Sequence, residues 1–200
     1  MTEHYFSDTP TGPERRRTVS VELFGHTVTV ETANGVFSGD GLDKATAVLL
    51  KEVPPPLGEP RILDLGCGWG AIALGLALAT PGAKVDAIDV NERALSLCRD
   101  NANRLGVGQR IQALSPDQVA EDATYDQIWS NPPIRIGKAA LHELLQTWLA
   151  RLAPGGVAYL VVGKNLGADT LAGWLTSQGF NCVRLASAKG FRVLQVRPPG

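Results

Sequence analysis

Asn131-Pro132-Pro133-Ile134 is the stretch of this chain whose residue types are best suited to chemistry on a nitrogen. Two consecutive prolines remove two backbone donors and stiffen the turn. The Asn131 side-chain oxygen and the Pro132 carbonyl are left as acceptors. An sp2 amine, its lone pair spread into a ring or amide, is a poor nucleophile. Two acceptors taking its two N–H bonds would hold it and stabilise the positive charge that grows as the nitrogen attacks. No strong general base is required, because the proton can leave after transfer. As a bare tripeptide, Asn-Pro-Pro is mostly a turn, so its meaning depends on what else the chain carries.

Asp64-Leu65-Gly66-Cys67-Gly68-Trp69-Gly70 is the second such stretch. Its spacing is G-x-G-x-G, not the phosphate-cradling G-x-G-x-x-G. Glycines let a backbone approach a ligand closely. Asp64 would repel a pyrophosphate but suits the positive amino group of a methionine moiety. Asp89 stands 25 residues further on, where a carboxylate can accept from both hydroxyls of a ribose; an N-terminal helix cap is the other use of such an aspartate. Asp117 is placed to face an adenine amino group, or is a solvated loop residue. Together the two stretches suggest a methyl group moving from a sulfonium to a nitrogen.

Other reactive side chains offer less. Cys67, Cys98 and Cys182 show no CxxC pairing, which argues against a disulfide framework or a zinc site and fits a reducing compartment. Cys67 reads as a small buried thiol. His4, His26 and His142 are scattered, with His142 at an exposed helix position; no metal is expected. With 19 basic and 20 acidic residues the net charge is -1, so any polyanion must be met by a local patch. The opening residues do not show the pattern of a secretory signal, so none is expected, and no apolar run has membrane-spanning length. A cytoplasmic protein is the expectation.

The elements that would position these residues follow from periodicity. Residues 1–17 read as a mobile polar arm, with Arg15-Arg16-Arg17 a short basic run. Thr18 to Val30 alternates in hydrophobicity about Gly25-His26 and predicts a hairpin within residues 18–33. Residues 44–53 predict a helix. From Arg61 strands alternate with helices: strands at 61–65, 84–89, 111–114, 126–130 and 157–162, helices at 71–79, 91–105 and 169–178. The helix after Asn131 carries Leu141, Leu145, Trp148 and Leu152 at helical spacing and is expected to end at Pro154-Gly155-Gly156. Runs at 181–186 and 191–196 predict a closing hairpin. This is an α/β chain with a parallel sheet covered on both faces, forming one domain over residues 18–200.

The two stretches resemble those of the methyltransferase small-domain family, in its branch of ribosomal RNA small-subunit guanine-N2 methyltransferases. Gly35-Val36-Phe37-Ser38-Gly39-Asp40-Gly41-Leu42-Asp43, the segment from Asn131 to Gly137-Lys138, and Lys189-Gly190-Phe191-Arg192-Val193-Leu194 carry the resemblance further, over about Thr18 to Val196. It implies a Rossmann-like seven-stranded sheet with the last strand antiparallel, behind a small N-terminal hairpin. S-adenosyl-L-methionine is the implied cofactor, with contacts expected at Asp64, Gly66, Cys67, Gly68, Asp89, Val90, Asp117 and Asn131. Asn131 is the implied catalytic residue, with the Pro132 carbonyl, from the reading of the turn, as its expected partner. Phe37, Pro133, Ile134, Arg135 and Lys138 are the expected substrate contacts, the two cations facing RNA phosphate. Phe37 and Asp43 are implied to lie over the pocket, or else serve as an anchoring aromatic and a helix cap. Ile134 stands where many related amine methyltransferases have Tyr or Phe, so stacking must be weaker or come from another residue such as Phe37. The helix start Asp43-Lys44-Ala45-Thr46 also departs from relatives, which usually have glycine and a small hydroxyl residue after the aspartate.

The expected activity is therefore methylation of the exocyclic N2 of guanine in small-subunit ribosomal RNA. A protein glutamine or a small amine as acceptor would use the same geometry. A non-catalytic cofactor-binding module would be expected to have lost one of the two stretches. The glycine spacing disfavours a nicotinamide-dependent dehydrogenase. Oligomeric state is not legible.

Overall fold

The computed structural model describes residues 13–199. A hairpin comes first: β1 (Arg16–Leu23) and β2 (His26–Ala33) pair antiparallel with Val19 opposite Val30 and Leu23 opposite His26. Its turn residues Phe24 and Gly25 both have positive φ (47° and 81°), as the two-residue turns that match strand twist require. Phe24 accepts that conformation while its ring meets Trp129 edge-on, with centroids 6.1 Å apart. The strand begins at Arg16, two residues before the expected start. Arg16 is held by Glu31 at 3.0 Å and Asp100 at 2.6 Å, and Arg17 by Asp40 at 2.7 Å, so neither belongs to a free basic arm. Residues 1–12 of that arm lie outside the described residues.

Seven strands form the main sheet: β3 (Arg61–Leu65), β4 (Lys84–Ile88), β5 (Ile111–Leu114), β6 (Tyr125–Ser130), β7 (Leu152–Gly163), β8 (Asn181–Ala188) and β9 (Phe191–Arg197). Their order is β5-β4-β3-β6-β7-β9-β8. The first five run parallel, and β9 is antiparallel to both β7 and β8. Successive residues alternate between faces: Ile62, Val85 and Trp129 pack to one side, Leu63, Ile128 and Leu160 to the other. Helices α1 (Lys44–Glu52), α2 (Ala71–Ala79) and α3 (Glu92–Arg104) and the hairpin cover the first side. Helices α4 (Lys138–Leu149) and α5 (Ala168–Ser177) cover the second.

The hairpin is fastened by Asn101, fully buried on α3. Its oxygen accepts from Glu31 N at 2.7 Å, and its amide nitrogen donates to Glu31 O at 2.9 Å and Trp69 O at 3.2 Å. A side chain thus completes the rung that an edge strand would otherwise leave open.

One expectation about an element end fails. Helix α4 stops at Leu149, and Leu152, counted on its apolar face, already belongs to β7, opposite Tyr125. The hydrogen bond from Tyr125 N to Arg151 O (2.9 Å) draws the chain into the sheet at that point. Pro154-Gly155-Gly156 then forms a bulge inside the strand, because the ladder resumes only at Gln127 opposite Val157. A Cβ on Gly156 would lie 2.8 Å from Ala153 O, so only glycine fits there.

Candidate active site

The chain runs outward through β3, β4 and β5, then returns to place β6 on the other side of β3. Ligands bind outside the carboxyl ends of the strands at such a reversal. A cleft of about 710 Å³ opens there, between the loops after β3, β4, β6 and β7, within the size range of small-molecule sites.

The loop after β3 is built around two carboxylates. Asp64 is fully buried, and its Oδ2 accepts from Ala73 N at 2.9 Å in the first turn of α2. Its Oδ1 is buried with no hydrogen-bond partner among the described residues. Burial pushes the Asp64 carboxyl up to about 7; the Ala73 bond opposes this and the nearby Asp89 adds to it. Asp89 follows β4 and lines the cleft. It accepts from Gly68 N at 2.9 Å and Asn91 N at 3.0 Å, and burial raises its carboxyl as well. The cap of α3 is Asn91, whose oxygen takes the Arg93 and Ala94 N–H groups, so Asp89 is not the helix cap. Gly70 has φ +99°, and a Cβ there would meet Cys98 Sγ at 2.9 Å. The turn therefore closes against α3 only because that residue is glycine. Asp89 reaches the cleft wall, whereas Asp64, buried with an unpartnered oxygen, is not among the lining residues. In its ionised form either carboxyl suits a cation and repels an anion.

Gly66 and Val90 line the cleft beside Asp89. Cys67 and Gly68 face a smaller recess behind Asn131. The buried Cys67 thiol is raised well above its ordinary value by Cys98 and by desolvation, which makes it unreactive. Asp117 is exposed on a short 3-10 turn, and the cleft wall at that point is Pro116. The structure does not bring Asp117 to the other expected residues.

At the other end β6 delivers Asn131 directly into the cleft. Its amide nitrogen donates to Asp43 Oδ2 at 2.9 Å and to Thr46 Oγ1 at 3.2 Å. The same Asp43 oxygen caps α1, accepting from Ala45 N at 2.8 Å and Thr46 N at 3.1 Å. No donor among the described residues reaches the Asn131 carbonyl oxygen. The Pro132 carbonyl, expected to stand open, accepts from Ile134 N at 2.9 Å. Pro133, at φ -75° and ψ 78°, is the centre of that inverse γ-turn. One of the two Pro132 lone pairs therefore remains for a ligand.

Pro133, Ile134 and Arg135 line the cleft beyond Asn131, with Phe37 across from them, 61% exposed. Lys138, the first residue of α4, is exposed just outside the wall. Neither Arg135 nor Lys138 has a side-chain partner among the described residues. Leu166 and Phe191 complete the apolar rim. Neither was picked out as a contact in the sequence, although Phe191 belongs to the Lys189–Leu194 segment noted there. His142 is half-buried, stacked on Trp174 with centroids 3.6 Å apart, and so differs from the exposed position expected. Trp129 and Trp148 are core residues. No helix among the described residues is long and apolar enough to cross a membrane.

Comparison with known proteins places these features. The methyltransferase small domain matches residues 27–195. An uncharacterised protein of Bacillus subtilis is 34% identical over 85% of this chain and 86% of its own. The ribosomal RNA small subunit methyltransferase C of Shewanella halifaxensis is 35% identical over 72% of this chain and 43% of its own. The structure superimposes on the T. thermophilus 16S rRNA N2 methyltransferase solved in complex with AdoMet and guanosine, with a TM-score of 0.80 and 28% identity, covering 94% of this chain and 52% of that one. This chain thus spans about half the length of the ribosomal RNA methyltransferases that it matches.

Proposed function

Because the chain belongs to the methyltransferase small-domain family and is an S-adenosylmethionine-dependent methyltransferase, we propose that it methylates the exocyclic N2 of guanine in small-subunit ribosomal RNA. One observation carries the reading: Asn131 lines the cleft with its amide nitrogen tied to Asp43 and Thr46, and no donor among the described residues takes its side-chain oxygen. Such an acceptor can take an N–H of an amine and offers nothing to an alkoxide.

The residues present fit the cofactor. Asp64, with its unpartnered oxygen, and the glycine loop would hold the methionine end. Asp89 and Val90 would hold the ribose, with Pro116 rather than Asp117 against the adenine. When bound, S-adenosylmethionine supplies an electrophilic methyl group. The chain's own part is to position the acceptor. Asn131 Oδ1 and the remaining Pro132 lone pair take the two N–H bonds of the amine. As positive charge grows on nitrogen, these fixed dipoles stabilise it without reorganising. The N–H held by Asn131 is already pointed at an oxygen, and the proton passes on to water once the methyl has moved.

Phe37, exposed at the rim, offers a face on which a base can stack, a role that Ile134 fills less well. Arg135 and Lys138 stand where the flanking phosphates would run, and a bacterial ribosomal substrate would place the reaction in the cytoplasm. Similarity to the N2 methyltransferase solved with guanosine supports guanine over a protein glutamine. The test is incubation with methyl-labelled cofactor and three acceptors: naked ribosomal RNA, assembled small subunits, and protein extract. Label in RNA is expected; label in protein alone would discard the RNA assignment and keep the amide mechanism.

A further inference from the structure

We infer that Asp43 is a positioning residue for the reaction, fixing which face of the Asn131 amide meets the acceptor. The inference rests on Asn131 carrying the acceptor nitrogen, whatever the acceptor proves to be. The geometry is a shared oxygen. Asp43 Oδ2 receives Ala45 N at 2.8 Å, Thr46 N at 3.1 Å and Asn131 Nδ2 at 2.9 Å. The first two contacts are an ordinary helix cap and tie the carboxylate to α1. The third crosses 88 residues of sequence to reach the reaction centre.

A side-chain amide has a donor end and an acceptor end of nearly the same size, and either fits the same space. A carboxylate only accepts. Against Asp43 the amide must therefore present its nitrogen, and its oxygen is turned to the cleft. The reversed amide would set oxygen against oxygen behind and two N–H donors towards an amine that itself donates. That orientation cannot hold the acceptor. The Thr46 hydroxyl, at 3.2 Å from the same nitrogen, cannot make the choice, because a hydroxyl donates as readily as it accepts.

The helix cap provides a sharp test, because aspartate, asparagine and serine cap helices about equally well. Asp43→Asn keeps an amide oxygen where Oδ2 stands. Asp43→Ser keeps the cap one bond shorter, and its hydroxyl accepts either face of the Asn131 amide. A capping role alone predicts that all three proteins behave alike. Positioning predicts that Asp43→Ser loses roughly 100-fold in kcat, the scale of one misplaced transition-state contact, while Asp43→Asn stays within about threefold. Cofactor Kd and the KM for small subunits are expected to stay within about twofold in both, and Tm within about 3 °C, which separates orientation from folding and binding.

A second readout needs no turnover. The Asn131 side-chain amide signals, identified in a nitrogen-15 spectrum by their loss in Asn131→Ala, are expected to be protected from solvent exchange in the wild type and in Asp43→Asn. In Asp43→Ser they should exchange freely. Equal kcat in the three proteins, or protected Asn131 signals in Asp43→Ser, would overturn the inference. A wild-type protein that leaves ribosomal RNA unmethylated would sink the RNA reading alone, and the amide signals would then decide this one.

Discussion

Replacing Asp64 with asparagine should abolish most of the pH dependence of cofactor binding. The wild-type carboxyl is fully buried and raised from 3.8 to about 7, mainly by burial. If the cationic end of the cofactor binds only the ionised form, affinity follows the ionised fraction. That fraction is about one-eleventh at pH 6 and about three-quarters at pH 7.5, so the wild-type Kd should tighten about 8-fold between them. The asparagine variant keeps the oxygen that accepts from Ala73 N and so keeps the loop. It should bind more weakly at pH 7.5 and vary far less with pH. Asp89, raised by burial in the same direction, contributes any residual slope; Cys67, raised far above this range, contributes none. The free protein gives an independent check with a definite sign. A carboxyl whose folded value is raised adds stability below its unfolded value, and that stability is lost as pH rises through about 7. From 3.8 to about 7 the loss is at most about 4 kcal/mol. Thermal melts without cofactor should therefore fall between about pH 5 and pH 7.5 in the wild type and stay flatter in Asp64→Asn. Titration calorimetry showing a Kd independent of pH in the wild type, or the same slope in the variant, would refute the reasoning.

Two further outcomes follow from the packing and the rim. Asn101→Ala strands Glu31 N, Glu31 O and Trp69 O at the hairpin junction, and should cost about 2–4 kcal/mol in urea unfolding, with the hairpin losing amide protection first. Arg135→Ala and Lys138→Ala should each weaken binding to single-stranded RNA and lower the slope of log affinity against log salt by about 0.7. Cofactor affinity should not change; salt slopes equal to the wild type would remove these two side chains from the RNA path.

Most of the fold was legible because its signals are local. Strands such as Arg61–Leu65 and Lys84–Ile88 are short apolar runs between turn residues, and α3 carries its cap and its apolar face within fifteen residues of sequence. Errors arose where a distant partner decides. Leu152 continues the helical spacing of α4, yet pairing with Tyr125 claims it for β7. Arg16 looked like part of a basic tail until Glu31 and Asp100 supplied its partners. At the site, Asn131 and the glycine loop announce themselves by composition and spacing. The Pro132 carbonyl is partly used by a turn that only the backbone geometry reveals. The bond from Asn131 to Asp43 joins residues that no local pattern connects, and Pro116, not the exposed Asp117, forms the cleft wall after β5.

The central claim is that Asn131 presents an amine nitrogen of guanine for methylation. It is tested most directly by digesting enzyme-treated small-subunit RNA to nucleosides and identifying the methylated product by mass spectrometry. The wild type should yield N2-methylguanosine, and Asn131→Ala should still bind cofactor while forming it about 100–1,000-fold more slowly. Methylation at a ring nitrogen or at a ribose hydroxyl, or an undiminished rate in Asn131→Ala, would contradict the account.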